Sequence, residues 1–161
     1  MSASCLWDTR VRMHHEQSLK TQKTLQHSND FWKPYSDSFR SDPRRVGDRL
    51  VERIAKTLTG SSTLIDVGGG GGRLALPLAL RAKHVTVVDP SRSMIEVLVN
   101  TAIESRISNY TVVNSDWQEA DVKPASVTLC AHVLYGIEGI VPFVEKLDSS
   151  TIDQVIIILY T

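Results

Sequence analysis

Five consecutive glycines, at 68–72, follow the apolar stretch Thr63–Val67 and lead into a helix-like stretch at 73–81. Glycine at such a turn adopts positive φ and lets a ligand approach bare backbone. The helix start adds unpaired N–H donors. In parallel α/β sheets, ligands bind at the carboxyl ends of strands, where this run falls. A simple hinge would not need five glycines, because each loses more backbone entropy on folding than any other residue. A phosphate-cradling loop needs Lys and Ser/Thr after its last glycine. Arg73 and Leu74 stand there instead, which excludes that chemistry. A dinucleotide site is not excluded. Gly70-x-Gly72-x-x-Ala75 meets its relaxed fingerprint, with Asp89 lying 19 residues beyond Gly70. That register leaves two further glycines next to the strand and gives Asp66 no function.

Asp66 is a lone acid in an apolar strand end and must be hydrogen-bonded there. Asp89 ends a second apolar stretch, and Asp116-Trp117 follows a third. His132 and Tyr135 follow a fourth and are the candidates for a general base. His14, His15 and His27 lie in a polar leader without Cys or carboxylates at ligand spacing. No metal site is expected from them.

The elements that must position these residues alternate. Strands are expected at Thr63–Val67, His84–Val88, Tyr110–Val113, 126–131 and 155–160. Helices are expected at 73–81, 91–104 and 139–147, with Met94, Val97, Leu98 and Ala102 facing inward in the second. A further helix should start at an Asp42 cap with Pro43 in its first position. It would bury Val46, Leu50, Val51, Ile54, Ala55 and Leu58 and end at Gly60. This alternation specifies βαβ units with right-handed crossovers, a mostly parallel sheet and an αβα sandwich. Residues 1–42 read as a solvated leader and a lid at 31–42 carrying Trp32 and Tyr35; residues 43–161 form the domain.

Asp66-Val67-Gly68-x-Gly70-x-Gly72-Arg73, in LIDVGGGGGRLALPLAL, resembles motif I of the class I S-adenosylmethionine-dependent methyltransferases. The segments VTVVDPSRSMIEVL, TVVNSDWQEA and ASVTLCAHVLYGI resemble the family's next three strand regions in order. The resemblance covers about residues 46–161. It implies a Rossmann-like methyltransferase fold with S-adenosylmethionine as cofactor. Gly68 and Gly70 would leave room for its methionine portion, Gly72 would belong to the same cofactor-binding loop, and Asp66 would orient its amino group. Asp89 would accept the ribose hydroxyls, Asp116 the adenine amino group, and Trp117 and Met94 would flank the purine. The acid that usually opens the fourth strand is absent; Ser126 is nearest to its place.

Composition narrows the function further. Hydrophobic residues make up 42% and charged residues 22%, as in ordinary globular domains. Lys+Arg and Asp+Glu each number 18, so no polyanion partner is expected from bulk charge. Residues 1–60 hold 11 basic and 7 acidic side chains, and 61–161 the reverse, a mildly basic cap on an acidic body. Two isolated cysteines, Cys5 and Cys130, fit a reducing cytoplasm. No basic patch or Asn/Asp-Pro-Pro-Tyr signature points to nucleic acid, and no membrane span is visible, so a small-molecule acceptor is expected. The sequence stops on a strand, and the expectation is a domain lacking its last two strands. The bare fifth strand would then allow a homodimer. Three readings remain open: a methyltransferase, a cofactor-binding scaffold without turnover, and a nicotinamide-dependent oxidoreductase.

Overall fold

A computed structural model describes residues 2–22 and 30–160. Strands β1 (Thr63–Val67), β2 (His84–Val88), β3 (Tyr110–Val113), β4 (Ala125–Ala131) and β5 (Thr151–Ile158) form one sheet in the order β3-β2-β1-β4-β5, parallel throughout. The order reverses beside β1, so the switch point lies between β1 and β4. Register aligns Val67 with Val88 on one side and with Cys130 on the other. The loops after β1, β2 and β4 therefore open on one edge.

The central strands β1 and β4 are buried on both faces, as parallel strands require, whereas the edge strand β5 is largely exposed. Alternate residues of β1 serve different layers. Leu64 packs with Leu76, Leu78, Val85, Val87, Leu98 and Leu129, beneath helices α2 (Arg49–Ala55), α3 (Ala75–Ala79) and α4 (Arg92–Glu104). Ile65 and Val67 pack with Val88, Cys130, Trp117, Phe143 and Leu147, beneath helix α5 (Ile140–Ser149). Met94, Val97, Leu98 and Ala102 of α4 are all buried, as their spacing predicts.

Three expectations are corrected. The first helix begins at Arg49, capped by Asp48, whose Oδ1 accepts from the N–H groups of Leu50 and Val51 at 3.1 and 3.2 Å. Asp42 instead accepts from Arg44 N–H within a turn, and Gly47, at φ +77°, breaks the chain before the real cap. Val46 is consequently 96% exposed. The helix also stops at Ala55, short of Gly60. The fifth strand spans Thr151–Ile158, four residues earlier at its start than expected, because Thr151 leaves α5 directly and its hydroxyl lies 2.6 Å from both Thr128 Oγ1 and Leu147 O. Finally, the expected solvated leader contains helix α1 (Ala3–Gln22). It docks on α5 and the preceding loop through Trp7 Nε1, which donates to Ile137 O at 2.9 Å, and through Asp8, which accepts from Gly139 N–H at 3.0 Å. Val11, one helical turn from Trp7, is buried. His27 lies outside the described residues. Among the described residues no helix is long and apolar enough to cross a membrane.

Candidate functional site

A cleft of about 360 Å³ opens over the carboxyl ends of β1, β2 and β4. Its floor is the glycine loop. Gly68 N–H donates to Val88 O at 2.7 Å, tying the loop to β2. Gly68 sits at φ +69°, and a side chain there would collide with Val133. Only glycine satisfies both conditions. Gly70 lies on the cleft wall, and its N–H donates to Asp89 Oδ2 at 2.8 Å. Gly72 is not part of the wall. A Cβ there would lie 2.9 Å from Leu76 and 3.0 Å from Leu98, so this glycine lets α3 and α4 close on the loop.

Two acids reach the cleft. Asp89 is almost fully buried, and its second oxygen accepts from Ser91 N–H at 2.8 Å. Burial raises its pKa, the two N–H donors oppose this, and Asp30 and Asp116 add further upward pressure. Asp66 is 2% exposed. Burial, reinforced by the charge of Asp89 and opposed by the Ala75 N–H, pushes its carboxyl up to about 7. Its Oδ2 has no hydrogen-bond partner among the described residues. A buried carboxylate oxygen without a donor is costly unless a ligand supplies one.

Trp32 and Phe39 form the roof, edge to face at 5.4 Å between ring centroids. Phe39 presses on the loop, since a Cβ at Gly71 would meet its backbone at 3.3 Å. Tyr35 is half exposed and stands off the cleft wall. Sequence reasoning missed the latch that places this roof. Asp30 accepts from Ser91 Oγ and Ser93 N–H, each at 2.8 Å, and from Trp32 N–H at 3.1 Å. Partial desolvation raises the Asp30 pKa, but these hydrogen bonds outweigh it and hold the carboxyl below its usual value. Its partners Ser91 and Ser93 lie 61 and 63 residues away in sequence, beyond any local signal.

The remaining candidates divide. Met94 is buried on the cleft wall. Asp116 is exposed and off the wall, near enough to Asp89 to perturb it. Trp117 is corrected to a core residue. It packs on Phe143 at 6.4 Å, its indole N–H donates to Phe143 O, and Lys146 covers its ring. That burial takes it away from any purine in the cleft. His132 lines the cleft at φ +61°, with its N–H bonded to Ile158 O at 2.9 Å. Its ring stacks on Tyr160 at 4.0 Å, and Nδ1 lies 3.4 Å from the Tyr135 hydroxyl. Tyr135 and Tyr160 in turn line a second, open cavity of about 550 Å³, bounded on the other side by Trp7, Arg10, Val11 and His14 of α1. Burial, with the Asp66 charge adding to it, pushes the Cys130 thiol up to about 12, so it is no nucleophile at neutral pH.

The dinucleotide reading loses its basis here. Gly72 is packed between helices, and the Ala75 N–H at the start of α3 is taken by Asp66. The helix end that a pyrophosphate needs is thus engaged. A parallel sheet with a glycine loop after β1 and a buried acid after β2 is a Rossmann-like domain. A methyltransferase-domain family model matches residues 64–140. The chain resembles the ubiquinone biosynthesis O-methyltransferase of Rickettsia felis, at 32% identity over 111 residues, 67% of this chain and 45% of that one. The Rickettsia prowazekii protein of the same name is 32% identical over 101 residues, 61% of this chain and 40% of that one. The chain therefore spans less than half the length of these relatives. The fold matches a putative S-adenosylmethionine-dependent methyltransferase from Methanococcus maripaludis (TM-score 0.66, 16% identity, 78% of this chain and 62% of that one). It also matches one from Aquifex aeolicus (TM-score 0.63, 18% identity, 76% and 68%). Residues 64–140 are thus a methyltransferase domain, and the relatives and fold neighbours that the chain resembles are S-adenosylmethionine-dependent methyltransferases or O-methyltransferases by name.

S-adenosylmethionine is the cofactor of this domain class, and the cleft fits its chemistry. The unpartnered Asp66 oxygen suits an ammonium group. Asp89 retains lone pairs for a ribose diol, and the side-chain-free loop leaves room for a methionine chain.

Proposed function

We propose that this chain transfers a methyl group from S-adenosylmethionine to a hydroxyl of a small, largely apolar acceptor. One observation carries the reading. The rings of His132, Tyr160 and Tyr135 lie parallel, with His132 lining the glycine cleft and the two tyrosines lining the second cavity. The relatives' names as O-methyltransferases support oxygen as the acceptor atom. The cofactor, when bound, supplies a methyl already activated on sulfonium. Holding a nucleophile in line with that methyl and excluding water then supplies most of the rate. Asp66, Gly68, Gly70 and Asp89 hold the cofactor, with Met94 against its adenine and Asp116 at the purine amino group. Trp32 and Phe39 exclude water from above. His132 receives the hydroxyl proton at a ring nitrogen as the new C–O bond forms, and Tyr135 fixes the imidazole.

The test is transfer of labelled methyl to a panel of small hydroxylated acceptors. The expected result is a labelled ether, lost in Asp89→Ala and reduced about a hundredfold in His132→Ala. Tight cofactor binding with no transfer to any acceptor would leave a cofactor-binding scaffold. The two free thiols support a reducing, cytoplasmic location. Ile152 and Ile157 are exposed on the edge strand β5, which supports pairing with a second copy. A monomeric mass by light scattering at high concentration would remove that last reading.

A further inference from the structure

We propose that Asp30 is a positioning residue that holds the roof closed over bound cofactor through Ser91, so that the adenosyl product leaves only when this latch opens. The inference rests on the S-adenosylmethionine reading above. The roof belongs to a strap laid along α4, against which the turn Ser36–Phe39 packs. One end of the strap is tied at the carboxyl end of α4. Arg40 pairs there with Glu104, and Arg44 donates to Ser105 O at 2.7 Å. The other end is tied at the amino end of α4 by Asp30, which accepts from Ser91 Oγ and Ser93 N–H, each at 2.8 Å. The turn that carries Trp32 is built on the latch itself. Asp30 accepts from Trp32 N–H at 3.1 Å through its side chain and from Lys33 N–H at 3.2 Å through its backbone carbonyl. Trp32 and Phe39, held in this way, line the cleft.

Helix capping alone does not account for Asp30. Ser91 already caps α4, its Oγ accepting from Met94 N–H at 3.2 Å. An acid brought from 61 residues away adds to that cap only by ordering a further segment, which costs conformational entropy. What it adds instead is a link between two parts of the site. Ser91 N–H donates to Asp89 Oδ1 at 2.8 Å, while the Ser91 hydroxyl donates to Asp30. One residue thus joins the acid that suits the ribose to the strap above the cleft. Hydrogen bonds to a carboxylate are stronger than neutral ones, so the closed state is well defined. The like charges of Asp30 and Asp89 oppose each other across Ser91, which lowers the cost of opening.

Stopped-flow fluorescence of the full chain with S-adenosylhomocysteine separates this role from general support of the fold. Release of a ligand from beneath a lid is limited by opening of the lid. Dissociation from Asp30→Ala should therefore be at least about tenfold faster than from the wild type, with association unchanged or faster. Asp30→Asn keeps one acceptor oxygen in the same shape, and its dissociation rate should fall between the two. Adding Ser91→Ala to Asp30→Ala should change that rate by less than about twofold more, because both substitutions break one link. Unchanged dissociation in Asp30→Ala and Asp30→Asn overturns the proposal, as does a loss of affinity carried by slower association alone. If Asp30→Ala does not fold, Asp30→Asn decides by the same readout. If the wild-type chain shows no saturable binding, the cofactor reading itself has failed. If it binds and release is unaffected by either substitution, only the role of Asp30 has.

Discussion

The two halves of the sheet's open edge solve different problems. Around β1 and β2 the site consists of backbone and buried carboxylates. Glycine N–H groups, the loop's bare surface, Asp66 and Asp89 are fixed by the sheet register and by hydrogen bonds of 2.7–2.8 Å. Around β4 and β5 it consists of rings and a helix: His132, Tyr135 and Tyr160 face Trp7 and Val11 of α1. The first half recognises charge and hydrogen-bond geometry, which changes little from ligand to ligand. The second offers apolar surface, which suits a variable acceptor. A polar half built on backbone beside a largely apolar one fits the proposed division between cofactor and acceptor.

The comparison breaks most sharply at Asp89. Asp89→Ala removes the acceptor of two backbone N–H groups and should weaken S-adenosylhomocysteine binding more than about a hundredfold by calorimetry. Retained affinity would move the cofactor away from β2. The next effect is on pH. The folded-state pKa of Asp66, about 7, lies above its ordinary value of 3.8. The folded chain therefore binds the extra proton between these values. Stability from this group is fully present below about pH 4 and declines as pH rises to about 7, by on the order of 4 kcal/mol. Urea midpoints measured across that range should show the decline, and Asp66→Asn should remove that part of it. Occupancy by an ammonium group needs the ionised carboxylate, so cofactor affinity should fall below pH 7 in the wild-type chain only.

Trp7→Ala sharpens the contrast from the other side. It removes the indole bond to Ile137 O and the ring that anchors α1. A largely polar helix does not hold itself in water without such packing. Amide exchange across Ala3–Gln22 should rise at least about tenfold, while S-adenosylhomocysteine affinity moves less than about twofold. A large loss of cofactor affinity would show that the two halves are one unit. The smallest effect belongs to Arg40→Ala. Its ion pair with Glu104 is half exposed on both sides, so thermal unfolding should register less than about 0.5 kcal/mol.

The glycine run, Asp66, Asp89 and four of the five strands' cores were legible in the sequence, because backbone conformation and strand periodicity are local properties. The same locality explains the errors. Asp42 and Asp48 are equally good caps in sequence; Gly47 and the contacts of α2 select the second. Trp117 next to an acid reads as a stacking platform until Phe143 and Lys146, contributed by α5, enclose it. The polar leader hides a docking stripe of two residues, Trp7 and Val11, too narrow to register as an amphipathic face. Asp30, Arg73 and the ring stack of His132 have partners from distant segments, which the sequence does not pair. What the sequence determined alone is the order of strands and helices and the loop that must be glycine, since these follow from φ, ψ and side-chain alternation. Only the tertiary structure decided which acids lack partners, which aromatics are core and where a second cavity opens, because burial and proximity exist only once distant segments meet.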